Sequence, residues 1–542
     1  MAYINNFNNI PAEKFRFAAK SDFAHDKKFD TKPVSYFQGA FRRFAKNKGA
    51  VVGGIVITFL ILFAIIAPFF TPYQPAYRDS AYVHATPRLK VFAESNIDFW
   101  DGYVEKTNVS YLNYLQDYAY ASETGREIIK NGKYTVSEDG KSYSYRRDTY
   151  VGTKFGKYKI ISPEEFEDIQ RYQNETKIQI IYPTVKTSDR PKLEINKYDA
   201  NIYYKMENPG AKTIRPKLDE NGEIIPNYWK YEEGTASSLI PEYNSLRIEG
   251  EEGIEEDGKT YYYAYGRKVD GGIEVRIDYY GYYSYYHSEV LKDGIGEPNF
   301  IFGTTADGKD IFACLAYGAR FSFIFASAVA IANFVVGVIW GSISGYFGGK
   351  LDLAMERFCE ILGSVPSMII ITLLQYHMGK FILERGLYEL SDYQSVLTLF
   401  IAFFATGWIG MAGRTRMQFY RFKNQEYVLA ARTLGASDWR IMFKHIFPNG
   451  LGTIVTSVAL VIPSMIYSET SLSYLGIINL ESGNTTSVGT LISAGQQSII
   501  FEGCAYVAFF PCLFLVLMML SFNLFGNGLR DAFNPSLRGA ED

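Results

Sequence analysis

The hydrophobic residues of this chain are concentrated in one run near the N-terminus and in several runs after Arg320, and the stretch between them is polar. A helix needs about 20 predominantly apolar residues to cross a bilayer, because each residue rises about 1.5 Å and the hydrocarbon is about 30 Å thick. Stretches of this kind predict a polytopic α-helical membrane protein with six transmembrane helices. They are residues 49–70, 321–348, 361–378, 395–411, 451–467 and 505–525.

Lysine and arginine predict the orientation of these helices. Ten of them precede residue 49 and seven lie between residues 411 and 450, whereas the loop after the third helix has only Lys380 and Arg385. Short loops rich in basic residues lie preferentially on the cytoplasmic side of the membrane. We therefore expect a multi-pass plasma membrane protein with both termini cytoplasmic. Its parts are a cytoplasmic tail (1–48), the first helix (49–70), an extracytoplasmic domain (71–297) and a membrane core (298–542) with a cytoplasmic loop at about 412–450.

Residues 71–297 hold 31 of the 43 tyrosines of the chain. Runs of Tyr, Ile, Val and Thr alternate there with dipeptides typical of hairpin turns, which predicts a mainly β domain inserted between the first two membrane helices. The tyrosines are consistent with an aromatic binding platform or with the half-buried faces of ordinary strands. The predicted turns are Asn131-Gly132, Asp139-Gly140, Asn221-Gly222, Asp257-Gly258 and Asp270-Gly271, and the clearest hairpin lies within 259–286.

Charge and composition exclude several function classes. The formal net charge is only -3, so no global field attracts nucleic acid. The five histidines are scattered and no Cys-x-x-Cys or His-x-x-x-His spacing occurs, so we expect no metal site. All four cysteines lie in or beside the apolar runs, and the inserted domain therefore folds without disulfides.

The segment FGTTADGKDIF, residues 302–312, approaches the phosphate-binding pattern G-x-x-x-x-G-K-[ST]. Asp310 stands where that pattern needs a hydroxyl for magnesium, and a carboxylate repels phosphate. The segment also precedes the second membrane helix on the predicted outer side. We interpret it as the lead-in to that helix and expect no ATP, or any other cofactor, on this chain.

Residues 426–450 predict two short helices joined at a glycine, and we call them the elbow. A first helix over 427–434 has Val428, Ala431 and Leu434 on one face and is ended by Gly435. A second amphipathic helix begins near Ser437 and stops before Pro448. The small residues of the elbow suit a shallow groove of a partner protein, and its basic residues equally suit a lipid surface.

The elbow resembles the cytoplasmic loop motif of ATP-binding-cassette (ABC) importer permeases, E-A-A-x-x-x-G followed by I-x-L-P. It reads Leu429-Ala430-Ala431, Gly435 and His445-Ile446-Phe447-Pro448, so Leu429, His445 and Phe447 depart from the motif. The segments EYVxAARxLGAS and HIxPN are similar to the oligopeptide and dipeptide branch. Further segments are similar to the same branch. They are the lead into the first helix, GTTADGKD with Thr305 and Lys309 in place of Asp and Arg, YGAR (317–320), GYFGGKLD (345–352), SVPSM (364–368), ETSLSYLG (469–476) and NLFGNGLRDAFNP (523–535).

This resemblance covers roughly residues 35–78 and 298–537 and identifies the chain as a member of that family, similar to its second permease subunit. It implies a permease that takes up peptides, is not itself an enzyme, and pairs with a second permease, two cytoplasmic ATPases that bind ATP and magnesium, and an extracytoplasmic binding protein. The coupling residues it implies are Glu426, Ala430, Ala431, Gly435, Ala436 and Pro448. Polar residues in the helices that could line a translocation path are Asn333, Gln375 and Glu469.

Two other functions stay open. Nickel and other small-solute importers share these motifs, and a surface receptor or adhesin would use the tyrosine-rich domain instead. A secondary transporter fits less well, since the helices lack paired charges and the halves show no evident repeat. Residues 71–297 depart from the family pattern, in which a short external loop joins the first two helices.

Overall fold

The computed structural model describes residues 36–95, 97–152, 157–185, 217–232, 253–386, 393–481, 485–500 and 504–533. These residues form a bundle of long apolar helices and a mixed insertion between the first two membrane helices. The bundle begins with α1 (Tyr36–Lys46) and α2 (Lys48–Phe70). Asn47 separates them and caps α2, because its side chain accepts a hydrogen bond from the backbone N–H of Ala50 at 3.2 Å.

In its described residues, the insertion combines helices with three small antiparallel sheets, ordered β1-β3-β2, β4-β10-β5 with β9 beside β10, and β6-β8-β7. Its helices are α3 (Lys90–Glu94), α4 (Tyr111–Thr124), α5 (Pro163–Thr176) and α6 (Tyr279–Tyr285), which continues as a π-helical turn, Tyr286–Leu291. Its strands are β1 (Tyr103–Ser110), β2 (Ile129–Val136), β3 (Ser142–Asp148), β4 (Lys157–Ile161), β5 (Ile181–Tyr182), β6 (Lys230–Glu232), β7 (Ile254–Glu256), β8 (Lys259–Tyr263), β9 (Gly266–Val269) and β10 (Gly272–Ile277). The prediction of a mainly β domain is therefore not confirmed.

The turn predictions in the insertion are correct at four of five positions. Asp139-Gly140, Asp257-Gly258 and Asp270-Gly271 each join consecutive strands, and Asn221-Gly222 closes a short bridge. Asn131-Gly132 lies inside β2, where both residues have positive φ and the pairing with β3 shifts register, so it is a bulge. The segment 259–286 contains the β9–β10 hairpin, but its last tyrosines are helical because Asp278 caps α6.

Tyrosines fill much of the interior of the insertion. Tyr82 and Tyr150 are completely buried and pack with Phe300. Tyr145 is 5% exposed and donates to Asp117 at 2.7 Å. These side chains follow the core interpretation of the tyrosine-rich composition, whereas Tyr118 and Tyr134 keep nearly half of their surface exposed.

The bundle continues after the insertion. Among the described residues, five helices are long and apolar enough to cross a membrane: α2, α7, α10, α15 and the continuous run Asp438–Tyr474. The helices of this part are α7 (Ile311–Phe347), α8 (Gly349–Gly363), α9 (Ser367–Glu384), α10 (Gln394–Phe422), α11 (Glu426–Thr433), α12 (Asp438–Arg440), α13 (Phe447–Tyr474), α14 (Val488–Ser498) and α15 (Tyr506–Phe533).

The third predicted membrane helix, 361–378, is not one straight helix. It crosses a break between α8 and α9, which meet at 70°. The described residues contain a sixth candidate span only if these two helices are counted as one. Pro366 accounts for the break, because a residue that precedes proline avoids helical backbone angles and Val365 therefore leaves the helix.

Close packing of α7 on α10 depends on glycine. Gly337, Gly341 and Gly345 recur every fourth residue on the face of α7 that meets α10, and a Cβ at Gly341 would lie 2.2 Å from the backbone oxygen of Ala412. Small residues at this spacing let two backbones approach in lipid, where hydrophobic burial cannot drive association.

The insertion is fastened to the ends of the membrane helices. Trp100 stacks on Phe302 and Phe510, with ring centroids 5.9 and 5.6 Å away. Glu481, in the loop after α13, pairs with Arg78 at 3.0 Å and also with Lys309. The insertion therefore packs directly on this end of the bundle.

Residues 302–312 form the turn into α7, as predicted. Asp310 caps that helix, and its carboxylate accepts hydrogen bonds from the backbone N–H groups of Phe312 and Ala313 at 3.3 and 3.0 Å. Lys309 is bound to Glu481, so the lysine of the phosphate-like pattern and the neighbouring Asp310 both have structural partners.

Candidate functional site

The elbow has the predicted helix, glycine, helix order. Helix α11 ends at Thr433, and Gly435 follows with φ of +80°, a left-handed conformation that glycine adopts without steric cost. Ser437 is the residue before α12 and has extended backbone angles, as expected at a helix start. Leu434 does not lie on the helix face predicted for it with Val428 and Ala431, because it follows the last helical residue, and it is 88% exposed.

The predicted stop before Pro448 is wrong. The chain stays helical from α12 through a π-helical stretch, Ile441–Ile446, into α13. Pro448 occupies the first turn of α13, where proline is tolerated because its missing N–H is not needed for the helix ladder. The second helix of the elbow and the fifth candidate span are consequently one 37-residue rod, Asp438–Tyr474.

One side of the elbow is buried and the other is open. Val428, Ile441 and Ile446 pack with Phe419 at the end of α10 and are fully buried. Trp439 is 61% exposed, so this side chain, like that of Leu434, leaves apolar surface uncovered. Of the predicted coupling residues, Ala431 and Ala436 are half-buried, and Glu426, Ala430, Gly435 and Pro448 are exposed.

Tyr346, near the end of α7, holds the two halves of the elbow together. Its hydroxyl donates to the Asp438 carboxylate of α12 at 2.5 Å and accepts from the Arg432 guanidinium of α11 at 3.3 Å. The same guanidinium lies 5.6 Å from the centre of the tyrosine ring. The elbow is therefore attached to α7 as well as to α13.

A second polar cluster, which the sequence analysis did not predict, joins three helices beside the elbow. Asp352 of α8 receives two hydrogen bonds from the Arg416 guanidinium, at 2.6 and 2.7 Å, and one from the Tyr420 hydroxyl at 2.6 Å. Ser344 of α7 also donates to Asp352. Arg416 and Tyr420 are four residues apart and therefore lie on one face of α10, and this spacing was the only sign of the cluster that the sequence offered.

The three predicted path residues are not brought together. Gln375 lies between α9 and α10, where its side chain donates to Ser395 at 3.1 Å. Glu469 of α13 is completely buried, and it accepts hydrogen bonds from Ser322 at 3.0 Å and Ser473 at 3.4 Å. Asn333 of α7 lines a cavity between α7, α10 and α13.

Comparison with known proteins places the chain in a family. The family model of the binding-protein-dependent transport system inner membrane component matches residues 337–539, and that of the N-terminal TM domain of oligopeptide transport permease C matches residues 35–87. The chain is also 42% identical over 237 residues to the oligopeptide transport system permease protein OppC of Bacillus subtilis (strain 168), which covers 44% of this chain and 72% of that protein. The chain belongs to the oligopeptide and dipeptide permease family.

Two dipeptide permeases are further relatives of this permease. It is 37% identical to the dipeptide transport system permease protein DppC of Bacillus subtilis (strain 168), over 44% of this chain and 69% of that protein. It is 38% identical to DppC of Lactococcus lactis subsp. cremoris (strain MG1363), over 47% and 69%. A chain of the MetNI methionine ABC transporter, solved in inward-facing conformations, shares 16% identity with a TM-score of 0.32 and covers 41% of this chain and 96% of its own length.

Neither family model reaches residues 88–336, so most of the insertion lies outside the matched regions. The matched family is binding-protein-dependent, and this permease therefore works with a binding protein and ATPase subunits. The elbow falls inside the longer match.

Proposed function

We propose that this permease is the second membrane subunit of an ATP-driven importer for oligopeptides or dipeptides. The observation that carries the proposal is the elbow: a compact pair of helices with an open apolar side, continuous with a membrane helix, in a chain 42% identical to an oligopeptide permease. In the complete importer a homologous permease completes the pathway, two ATPases bind ATP and magnesium, and this chain binds neither.

The elbow is the site where an ATPase subunit docks. Ala430, Ala431 and Gly435 enter a groove of the ATPase, and Glu426, Ala436 and Pro448 flank the contact. Two short helices that are joined by side-chain contacts, as these are through Tyr346, move as one body. Closure of the ATPases on ATP therefore shifts α13, which continues the elbow without a break, and shifts α7 through Tyr346.

This function sets the orientation of the chain. The elbow and both termini face the cytoplasm, where the ATPases are, and residues 71–297 face the opposite side, where the binding protein delivers peptide. The contacts of Glu481 with Arg78 and Lys309 support an insertion that packs on the outer ends of the helices. It is then positioned beside the place where the binding protein docks.

Uptake by reconstituted vesicles tests the proposal. The assembled importer is placed in liposomes that enclose ATP, and the external binding protein is loaded with a radiolabelled tripeptide or with ⁶³Ni²⁺. We expect ATP-dependent accumulation of the tripeptide and none of nickel. Accumulation of nickel alone would replace the cargo, and accumulation of neither, with tripeptide still bound at the vesicle surface, would favour a receptor.

A further inference from the structure

The cavity between α7, α10 and α13 has a volume of about 180 Å³. Its walls are mostly apolar and include Phe334, Met411 and Val461, and its polar groups are Asn333, Ser464 and Arg414. No acidic side chain is among the residues that line it. The cavity therefore favours a partly apolar ligand whose end next to the Arg414 guanidinium is not positively charged.

Asn333 gives this cavity an acceptor that has no donor. The residue is 2% exposed, and its side-chain nitrogen donates to the Phe403 carbonyl at 3.4 Å, but its Oδ1 has no hydrogen-bond partner among the described residues. A buried acceptor without a donor is costly and is rarely kept without a role. Gly407 makes room for this side chain, since a Cβ there would lie 2.3 Å from the Asn333 amide nitrogen.

Arg414 gives the same cavity a cation. Its side chain lines the cavity yet is exposed, and no hydrogen bond or ion pair holds it within the described part of the chain. Arg414 follows Gly407 by seven residues on α10, which is about 10 Å along a helix. Along α10, the backbone of Arg414 is therefore about two helical turns from Gly407, the residue that packs against Asn333.

We infer that this cavity is a binding subsite for the C-terminal end of a short peptide. The Arg414 guanidinium pairs with the peptide carboxylate, the Asn333 oxygen accepts a backbone N–H, and the apolar walls contact a side chain. The rise of about 10 Å between Gly407 and Arg414 along α10 is comparable to the length of three extended residues at about 3.3 Å each. A lipid would satisfy Arg414 through its headgroup, but its acyl chains have no N–H to donate to Asn333.

The inference rests on the proposed function, and peptide uptake tests it in the complete importer. Vesicles receive the same binding protein loaded to saturation with trialanine or with trialanine amide, and the ratio of the two uptake rates is compared between variants. Because the binding protein is common to all samples, a change in this ratio reports on the permease. We expect Arg414→Gln to lower the carboxylate-to-amide ratio about tenfold, as for the loss of one charge-assisted contact. Arg414→Lys retains most of it.

Filling the cavity gives an independent test. No atom lies within 4 Å of a Cβ built on Gly410, which lines the cavity, so Gly410→Val fits the fold and occupies the space meant for the ligand. Gly413 lies three residues further along α10, has the same free space and does not line this cavity. We expect Gly410→Val to reduce uptake of both peptides at least fivefold relative to Gly413→Val, with comparable amounts of assembled complex.

The outcomes separate the inference from the proposed function. An Arg414→Gln complex with an unchanged ratio overturns the inference, including the case in which both uptake rates fall equally because Arg414 holds a lipid headgroup. Unaltered uptake by Gly410→Val also overturns it. If the unsubstituted complex takes up neither peptide, the proposed function fails and the subsite fails with it.

Discussion

The Tyr346 hydroxyl donates to the Asp438 carboxylate at 2.5 Å, across 92 residues of sequence. This bond joins the end of α7 to the start of the rod that becomes α13. Since Arg432 of α11 contacts the same tyrosine, one side chain fixes the position of both elbow helices relative to the bundle. The elbow can then transmit force to two membrane helices at once.

Removing the Tyr346 hydroxyl is predicted to uncouple ATP hydrolysis from transport. Tyr346→Phe keeps the ring over Arg432 but leaves Asp438 without its donor, so the elbow follows the ATPase while α7 does not. We expect peptide uptake per ATP hydrolysed to fall about three- to tenfold, corresponding to the loss of about 1 kcal/mol of contact energy. Parallel assays of uptake and phosphate release measure this ratio.

Tyr467→Phe is the matched control for this variant, because Tyr467 lies on the same rod, is 53% exposed, and its hydroxyl has no contact within the described residues. Its transport ratio should equal that of the unsubstituted importer. If uptake per ATP hydrolysed is the same in the unsubstituted importer, Tyr346→Phe and Tyr467→Phe, the Tyr346 hydroxyl does not transmit force to α7.

A bulky residue at Gly435 is predicted to block ATPase docking while the permease stays folded. No atom lies within 4 Å of a Cβ at this position, so Gly435→Trp has room, and its positive φ adds only roughly 1 kcal/mol of backbone strain. We expect complexes to lose substrate-stimulated ATP hydrolysis. Gly125→Trp in the insertion has the same backbone strain and free space but no ATPase partner, and it should hydrolyse ATP normally.

The Asp352 cluster is predicted to stabilise the helices beside the elbow. Asp352→Ala leaves Arg416 and Tyr420 without their shared acceptor. The loss of charge-assisted hydrogen bonds from a guanidinium that is 27% exposed costs about 2 kcal/mol. We expect a lower unfolding temperature for the detergent-solubilised permease. The double variant with Arg416→Ala should be less destabilised than the sum of the two single variants, because both substitutions remove the same ion pair. Additive losses would show that the two residues act separately.

Burial raises the pKa of the Asp310 carboxyl to about 7, compared with about 3.9 in an unfolded chain. The folded state therefore binds the proton more tightly, and its stability falls as pH rises from about 4 to about 7, by on the order of 4 kcal/mol in all. Asp310→Asn keeps an oxygen to cap α7 and removes this titration.

The difference in unfolding temperature between Asp310→Asn and the unsubstituted permease should accordingly increase in favour of the variant between pH 5 and pH 8. Asp307→Asn, three residues earlier and exposed, is the matched control for the substitution. A pH-independent difference would contradict the assignment of the titration to Asp310.

The sequence predicts local features of this fold well. The apolar runs locate the candidate spans because length and polarity alone decide whether a helix can cross lipid. Asp257-Gly258 forms its hairpin because both residues have positive φ, which that dipeptide tolerates. Gly435 ends α11 for the same kind of local reason.

The features that sequence reasoning missed depend on neighbours distant in the chain or on competing local effects. Pro448 looked like a helix end, but a π-helical stretch places it in the first turn of α13, where proline is compatible with a helix. Val365 and Pro366 lie inside an apolar run, and the 70° break there is invisible to hydrophobicity. The partners of Tyr346 and the burial of Glu469 follow from helix packing, which no single segment encodes.

The most direct test of the account is ATP hydrolysis by the assembled importer in liposomes, with its binding protein added empty, loaded with short peptides, or loaded with nickel. We predict stimulation by the peptide-loaded protein alone, and loss of that stimulation in Gly435→Trp. Stimulation by nickel alone would contradict the peptide assignment. Hydrolysis that ignores every form of the binding protein would contradict the importer role itself.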